Sequence, residues 1–265
     1  MHLKIYLYVI QYLIFCNQYE FITGKAMMGQ NIKHAAPGEF TYIVSFMKIN
    51  ERKPNTENDY LCTGTLVSRK DILTVAHCFK FCTIEFSEAI VGSVDLRSGT
   101  KFYPKKLITH FIWSTYKKLR SLNMHDIAIA KLDNPVPDEI QIAPLSKLTN
   151  IHSKKLNVVV AGWGEQNNGK ISMIMETANL ETIPNAQCVQ KLKKLNVNIN
   201  GLDTKHICAI GNPPVIMCRG NSGSPLLYEN TLIAIHEGIC PHEENSNHIE
   251  KINMNLSIDY YRNFI

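Results

Sequence analysis

Cys218-Arg219-Gly220-Asn221-Ser222-Gly223-Ser224-Pro225-Leu226 is the most informative stretch of the chain. An ordinary serine hydroxyl is a poor nucleophile near neutral pH. To attack a carbonyl it needs a neutral imidazole to take its proton and a buried carboxylate to orient that imidazole. Backbone N–H groups must also receive the developing oxyanion. Gly220 matters in such a scheme, because a side chain there would crowd the oxyanion position or turn the N–H away. The rest of the chain has to supply a histidine and an acid.

Two upstream segments do so. Leu73-Thr74-Val75-Ala76-His77-Cys78 follows Cys62-Thr63-Gly64-Thr65-Leu66-Val67, and Asp126-Ile127-Ala128-Ile129-Ala130-Lys131-Leu132 sets an acid at the head of an apolar run. Alone, a His beside a Cys is more often structural, and an acid before a strand is often a turn residue. Together, in the order His, Asp, Ser, these segments resemble the chymotrypsin/trypsin-like serine proteases, whose patterns read L-T-A-A-H-C, D-I-A-L-L-K-L and C-x-G-D-S-G-G-P-L. Val160-Ala161-Gly162-Trp163-Gly164 is similar to the family's V-x-G-W-G, and the resemblance covers roughly residues 27–265.

The resemblance implies an all-β fold of two six-stranded antiparallel β-barrels with a short C-terminal helix and the site between them. It implies His77 as base and then acid, Asp126 as the orienting carboxylate and Ser222 as nucleophile, with the Gly220 and Ser222 N–H groups as oxyanion donors. It also implies bridges Cys62–Cys78, Cys188–Cys208 and Cys218–Cys240. A further family bridge is missing, since Val158 and Tyr228 stand at its positions, and Cys82 is left as a free thiol.

Several residues depart from the pattern. Asn221 stands where the family has the Asp that pairs with a newly released N-terminal ammonium, and an amide cannot offset the burial of that charge. Ser224 replaces a second Gly. Ile22-Thr23-Gly24-Lys25 resembles the activation motif but follows Phe21, whereas Met27-Met28-Gly29-Gln30 better fits the spacing to Ala35-Ala36-Pro37-Gly38-Glu39-Phe40. Ile216 occupies the pocket position at which trypsin-like members bind Arg or Lys. Ile235-His236-Glu237 stands for the wall S-W-G, so Glu237 is expected over the pocket mouth. Asn253 replaces another Gly, and the two side chains narrow or fill the specificity pocket.

The chain as a whole is consistent with a secreted globular protein. Its 265 residues, 45% hydrophobic and 19% charged, can bury a substantial core. A net charge of +5, with only isolated pairs such as Lys117-Lys118 and Lys193-Lys194, argues against nucleic-acid binding. Lys4 followed by the apolar run Ile5–Phe15 reads as a signal peptide, too short to span a bilayer. Cleavage after Cys16 or after Ala26 leaves a mature region; we take 1–26 as leader and 27–265 as the protease-like domain. Loss of Cys16 leaves seven of eight cysteines, an odd number. There is no Cys-x-x-Cys, and His236, His242 and His248 lack metal-site spacing, so neither metal nor cofactor is expected. Asn255-Leu256-Ser257 is a weak glycosylation acceptor.

Short β-type runs recur at Thr41–Phe46, Thr65–Val67, Ile72–Val75, Thr83–Phe86, Ile127–Leu132, Leu156–Gly162 and Leu232–His236, between turn residues. Asp133–Lys147, with Pro135, Pro137 and Pro144, reads as a crossing between two halves, and Ile258–Ile265 as a terminal helix. The expected function is a secreted, monomeric serine endopeptidase of non-tryptic specificity. It would act on protein or peptide substrates, be open to protein inhibitors, and bind neither nucleic acid nor membrane. The alternative is a weak or inactive homologue with a binding or regulatory role.

Overall fold

Runs of Val, Ile and Thr become strands because branched side chains fit a pleated, half-buried surface. The computed structural model describes residues 27–29, 31–50, 56–118, 125–166, 170–199, 202–241 and 250–265. The expected leader therefore lies outside the described residues. The strands, in chain order, are β1 (Met28–Gly29), β2 (Lys33–His34), β3 (Ile43–Lys48), β4 (Tyr60–Leu66), β5 (Asp71–Thr74), β6 (Ser87–Val91), β7 (Thr100–Phe102), β8 (Pro104–Thr109) and β9 (Ala128–Leu132). They continue with β10 (Asn157–Gly162), β11 (Glu176–Ile183), β12 (His206–Ile210), β13 (Val215–Ile216), β14 (Pro225–Tyr228), β15 (Thr231–Cys240) and β16 (Ile252–Ser257).

Two antiparallel sheets result. The first runs β7-β6-β3-β4-β5-β9-β8 and curls around a core that includes Ile43, Phe46, Leu66, Ile72, Leu73 and Ile127, all fully buried. The second runs β10-β14-β15-β16-β12-β11, and β10 pairs back onto β11, closing a six-stranded barrel with β2 appended. Its core gathers Val160, Ala178, Leu180, Ile207, Leu226 and Ile233. Each large apolar side chain taken from water contributes roughly 1.5–3 kcal/mol, so the two interiors dominate stability. The expected pair of β-barrels is thus one closed barrel and one curled sheet.

The segment rich in proline makes the crossing. It starts on the first sheet, where Ala143 N–H donates to Leu66 O (2.9 Å), and finishes on the second, where Ser146 N–H donates to Leu232 O (3.0 Å). The cleft between the halves follows from this connection.

Three local expectations change. Thr83–Phe86 is a tight 3-10 turn closed by Phe86 N–H to Thr83 O, and the strand begins after it at Ser87. Helix α1 (His110–Tyr116) and the longer helix α2 (Asn185–Lys194) stand where no helix was expected. The terminal helix α3 is only Ile258–Tyr261. Ser257 caps it through Tyr260 N–H, and Ile258, Tyr261 and Phe264 still anchor it in the first core.

Candidate active site

Each of the three expected residues is carried to the cleft by a different local device. His77 sits in a 3-10 turn (Ala76–Phe79) that leaves the end of β5, and a disulfide from Cys78 to Cys62 ties this turn to β4. Asp126 heads the path into β9. The neighbouring His125 bonds the Tyr261 hydroxyl at 2.8 Å, so α3 braces the segment that holds the acid. Ser222 lies in the loop between β13 and β14.

The side chains meet in series. Asp126 Oδ2 is 2.5 Å from His77 Nδ1, Asp126 Oδ1 accepts the His77 backbone N–H at 2.8 Å, and His77 Nε2 is 2.9 Å from Ser222 Oγ. Two bonds from one carboxylate fix both the ring and its backbone, leaving Nε2 directed at the hydroxyl. Burial alone would lower the imidazole pKa. The adjacent Asp126 charge and hydrogen bond, with a further contribution from Glu237, outweigh it and hold His77 above its ordinary value. His77 and Asp126 keep 24% and 25% side-chain exposure, enough to be reached from the cleft.

The loop around Ser222 consists of two overlapping tight turns. Asn221 N–H donates to Cys218 O (3.0 Å) and Ser224 N–H to Asn221 O (2.9 Å). Gly220 at φ +91° and Gly223 at φ +83° hold the third position of each, while Arg219 and Ser222 have negative φ. That combination is a type II turn, which requires a residue free to take positive φ. Glycine is required at 220 for a second reason: a Cβ there would lie 2.9 Å from the Tyr60 ring and 3.2 Å from Trp163 O. Among the described residues, neither Gly220 N–H nor Ser222 N–H donates to a protein acceptor.

Asn221 points the other way, into the protein. It is fully buried, and neither its amide oxygen nor its amide nitrogen has a hydrogen-bond partner; the buried Ser224 hydroxyl also lacks one. The amide lies against Gly164, where even a methyl group would collide with it. Met27, in the expected new N-terminal stretch, is buried in the same half, and Met28–Gly29 pairs with Val215–Ile216.

The residues expected around the specificity pocket are filled in. Ile216, Met217, His236, Asn253 and Asn255 are each between 0 and 2% exposed. Asn253 accepts the Met217 N–H at 2.8 Å and donates to Val215 O (2.9 Å) and Ala209 O (3.3 Å). Asn255 donates to Ile207 O (2.9 Å) and lies 3.2 Å from His236 Nδ1. Among the described residues, these side chains bond backbone groups and one another in the interior around Ile216.

Two expectations need correction. Glu237 does not simply replace a wall glycine. It is the extra residue of a β-bulge in β15, between His236 opposite Asn255 and Gly238 opposite Met254. The bulge turns its carboxylate toward His206 Nε2 (3.6 Å), and burial together with the Asp126 charge raises its pKa. Cys218 and Cys240 do not form a bridge: both are free, as is Cys82. The Cys218 sulfur is engaged with the Ile216 carbonyl, whereas Cys240 is held in the ladder opposite Ile252. Cys62–Cys78 and Cys188–Cys208 are both formed.

A family model described as Trypsin matches residues 30–265. The chain belongs to the trypsin family. Serine protease SP24D of Anopheles gambiae is 24% identical over 220 residues, covering 81% of this chain and 72% of that protein. Melanization protease 1 of Drosophila melanogaster is 28% identical over 203 residues, covering 69% of this chain and only 50% of that protein. Among solved structures, mouse neuropsin, described as a serine protease expressed in the limbic system, superposes with a TM-score of 0.68 at 18% identity, covering 88% of this chain and 96% of that one. At that identity it speaks for the trypsin-like fold alone. No helix among the described residues is long and apolar enough to cross a membrane.

Sequence reading missed Tyr60, whose hydroxyl reaches the Gly220 carbonyl, as well as the bonding role of Asn253. Neither bears a motif.

Proposed function

We propose that this trypsin-family chain is a serine-type endopeptidase working through an acyl-enzyme. The observation that carries this is the unbroken series Asp126–His77–Ser222 at 2.5 and 2.9 Å. Ser222 Oγ adds to the carbonyl carbon of the scissile bond as its proton passes to His77 Nε2. The Gly220 and Ser222 N–H groups receive the oxyanion, His77 protonates the leaving amine, and water repeats the sequence to release the acid. Asp126 keeps the imidazole oriented and stabilises its cation.

Specificity is non-tryptic. Among the described residues, a buried Ile216 stands where a carboxylate would bind Arg or Lys, and the Asn253 amide fills the space against its neighbours Val215 and Met217, which leaves little room for a large side chain. Substrates are proteins or peptides with a small residue before the scissile bond. The proposal includes secretion after removal of a leader, action as a monomer, and susceptibility to protein inhibitors that present such a residue.

A second reading, a homologue with a binding or regulatory role, is favoured by one feature: the Asn221 amide is buried without the ion pair the family uses at that position. The deciding experiment is labelling of the purified protein with a fluorophosphonate beside Ser222→Ala, between about pH 6 and 9. Labelling confined to the unsubstituted protein supports the peptidase. No labelling across that range would leave the regulatory reading in its place.

A further inference from the structure

The oxyanion turn is held at two consecutive carbonyls, neither through residue 221's side chain. Arg219 O accepts the Glu165 N–H at 3.0 Å. Because the peptide is trans, fixing that carbonyl toward Glu165 aims the Gly220 N–H in the opposite direction. The next carbonyl, Gly220 O, is 3.1 Å from both the Tyr60 and Thr63 hydroxyls, which are themselves 2.7 Å apart. All three groups are buried. Strand β4 grips the loop once more where Thr63 N–H donates to Ser222 O at 2.9 Å, and Thr74 Oγ1 donates to Thr63 O to brace that residue.

We propose that Tyr60 and Thr63 are positioning residues for the oxyanion turn, holding its donor orientation in a chain that has no carboxylate at position 221. The turn has an alternative. In a type I turn the peptide between Arg219 and Gly220 rotates, and the Arg219 carbonyl enters the space meant for the oxyanion. Such a rotation takes φ of Gly220 negative and breaks the Arg219 O bond to Glu165 N–H, while the two buried hydroxyls hold the following peptide at Gly220 O, so the loop cannot relax piecemeal around the flip. Tyr60 and Thr63 thereby hold the frame of the turn against β4 rather than contact the substrate.

Proton counting shapes the test. Two hydroxyl protons serve three short O···O contacts, so one contact always lacks a proton. Either hydroxyl alone can donate to Gly220 O when the other is removed. Single substitutions are therefore buffered and the pair is not. Tyr60→Phe and Thr63→Val are nearly isosteric, and Thr63→Ser keeps the hydroxyl.

The proposal rests on the peptidase assignment for its kinetic readout but not for its structural one. Kinetics on a peptide substrate are paired with amide hydrogen exchange across residues 218–223. The expected result is a loss of about threefold in kcat for each single variant and about 100-fold for the double, with KM unchanged. Thr63→Ser should behave as wild type, and 218–223 should exchange fast only in the double variant. A double variant with wild-type kcat and unchanged exchange overturns the proposal. If the unsubstituted protein shows no turnover, the peptidase assignment falls while exchange still decides: protection lost in the double variant upholds the positioning role, and protection retained removes it. Should the double variant fold poorly, kcat of Tyr60→Phe and Thr63→Val is compared with that of Thr63→Ser, and wild-type kcat in both single variants counts against the proposal.

Discussion

The cleft and the interior beneath it are built by opposite rules. In the cleft, Asp126, His77 and Ser222 form a series with an end left open to the solvent side. Beneath, the buried Asn253, Asn255 and His236 close on one another and on backbone. The contrast teaches that, on the proposed function, bond breaking and side-chain recognition are separable in this fold: three residues on three different segments would supply the first, and the strands around Asn253 the second.

The largest expected effect breaks the cleft. Asp126→Asn leaves the shape intact but favours the wrong imidazole tautomer, so kcat should fall about 10⁴-fold. Steady-state kinetics check it, and a loss below tenfold would mean His77 is oriented by something else.

Next comes the interior. Asn253→Gly removes the side chain that fills it and leaves Met217 N–H and Val215 O without their partner. Stability should drop by roughly 1–3 kcal/mol while kcat/KM for peptides with a large apolar residue before the scissile bond rises roughly tenfold or more. Denaturation and a peptide series read the two effects separately. An unchanged preference would show that the contrast drawn here does not govern selectivity.

A smaller effect concerns pH. The Glu237 charge helps hold the His77 pKa up, and only the neutral imidazole can take the serine proton. Glu237→Gln should therefore let His77 lose its proton at lower pH, moving the acid limb of the kcat/KM profile downward. An upward shift would contradict the sign.

The smallest sharpens the border between the two regions. Asn221 buries two unpaired polar atoms, each at a cost of roughly 1–3 kcal/mol. Asn221→Leu, of similar size, should be at least as stable as the original by thermal denaturation. A clear loss of stability would show that the amide has a partner after all.

Much of the cleft was legible in the sequence because each of its parts is local. His77, Asp126 and Ser222 sit in short contiguous segments whose resemblance to the family's patterns, taken together and in order, marks them. What escaped was set by pairing at a distance. Tyr60 and Gly220 are 160 positions apart and meet only after β4 and the loop have been placed. Helix α2 buries only Cys188 and Leu192, too thin a stripe to give a periodic signal. Thr83–Phe86 has strand-like residues but closes on itself within four positions, where propensity cannot separate strand from turn. The Cys218–Cys240 bridge was expected by resemblance, yet the ladder opposite Ile252 governs where Cys240 goes.

The bulge at Glu237 makes loop length a source of chemical change. Side chains along β15 alternate between two faces, so a single inserted or lost residue exchanges the set facing the cleft. Deleting one position between Ala234 and Gly238 would take the carboxylate away and bring a neutral neighbour in its place, without touching Ser222, His77 or Asp126. One residue more or less in this strand thus changes the charge beside His77 while the three cleft residues stay where they are.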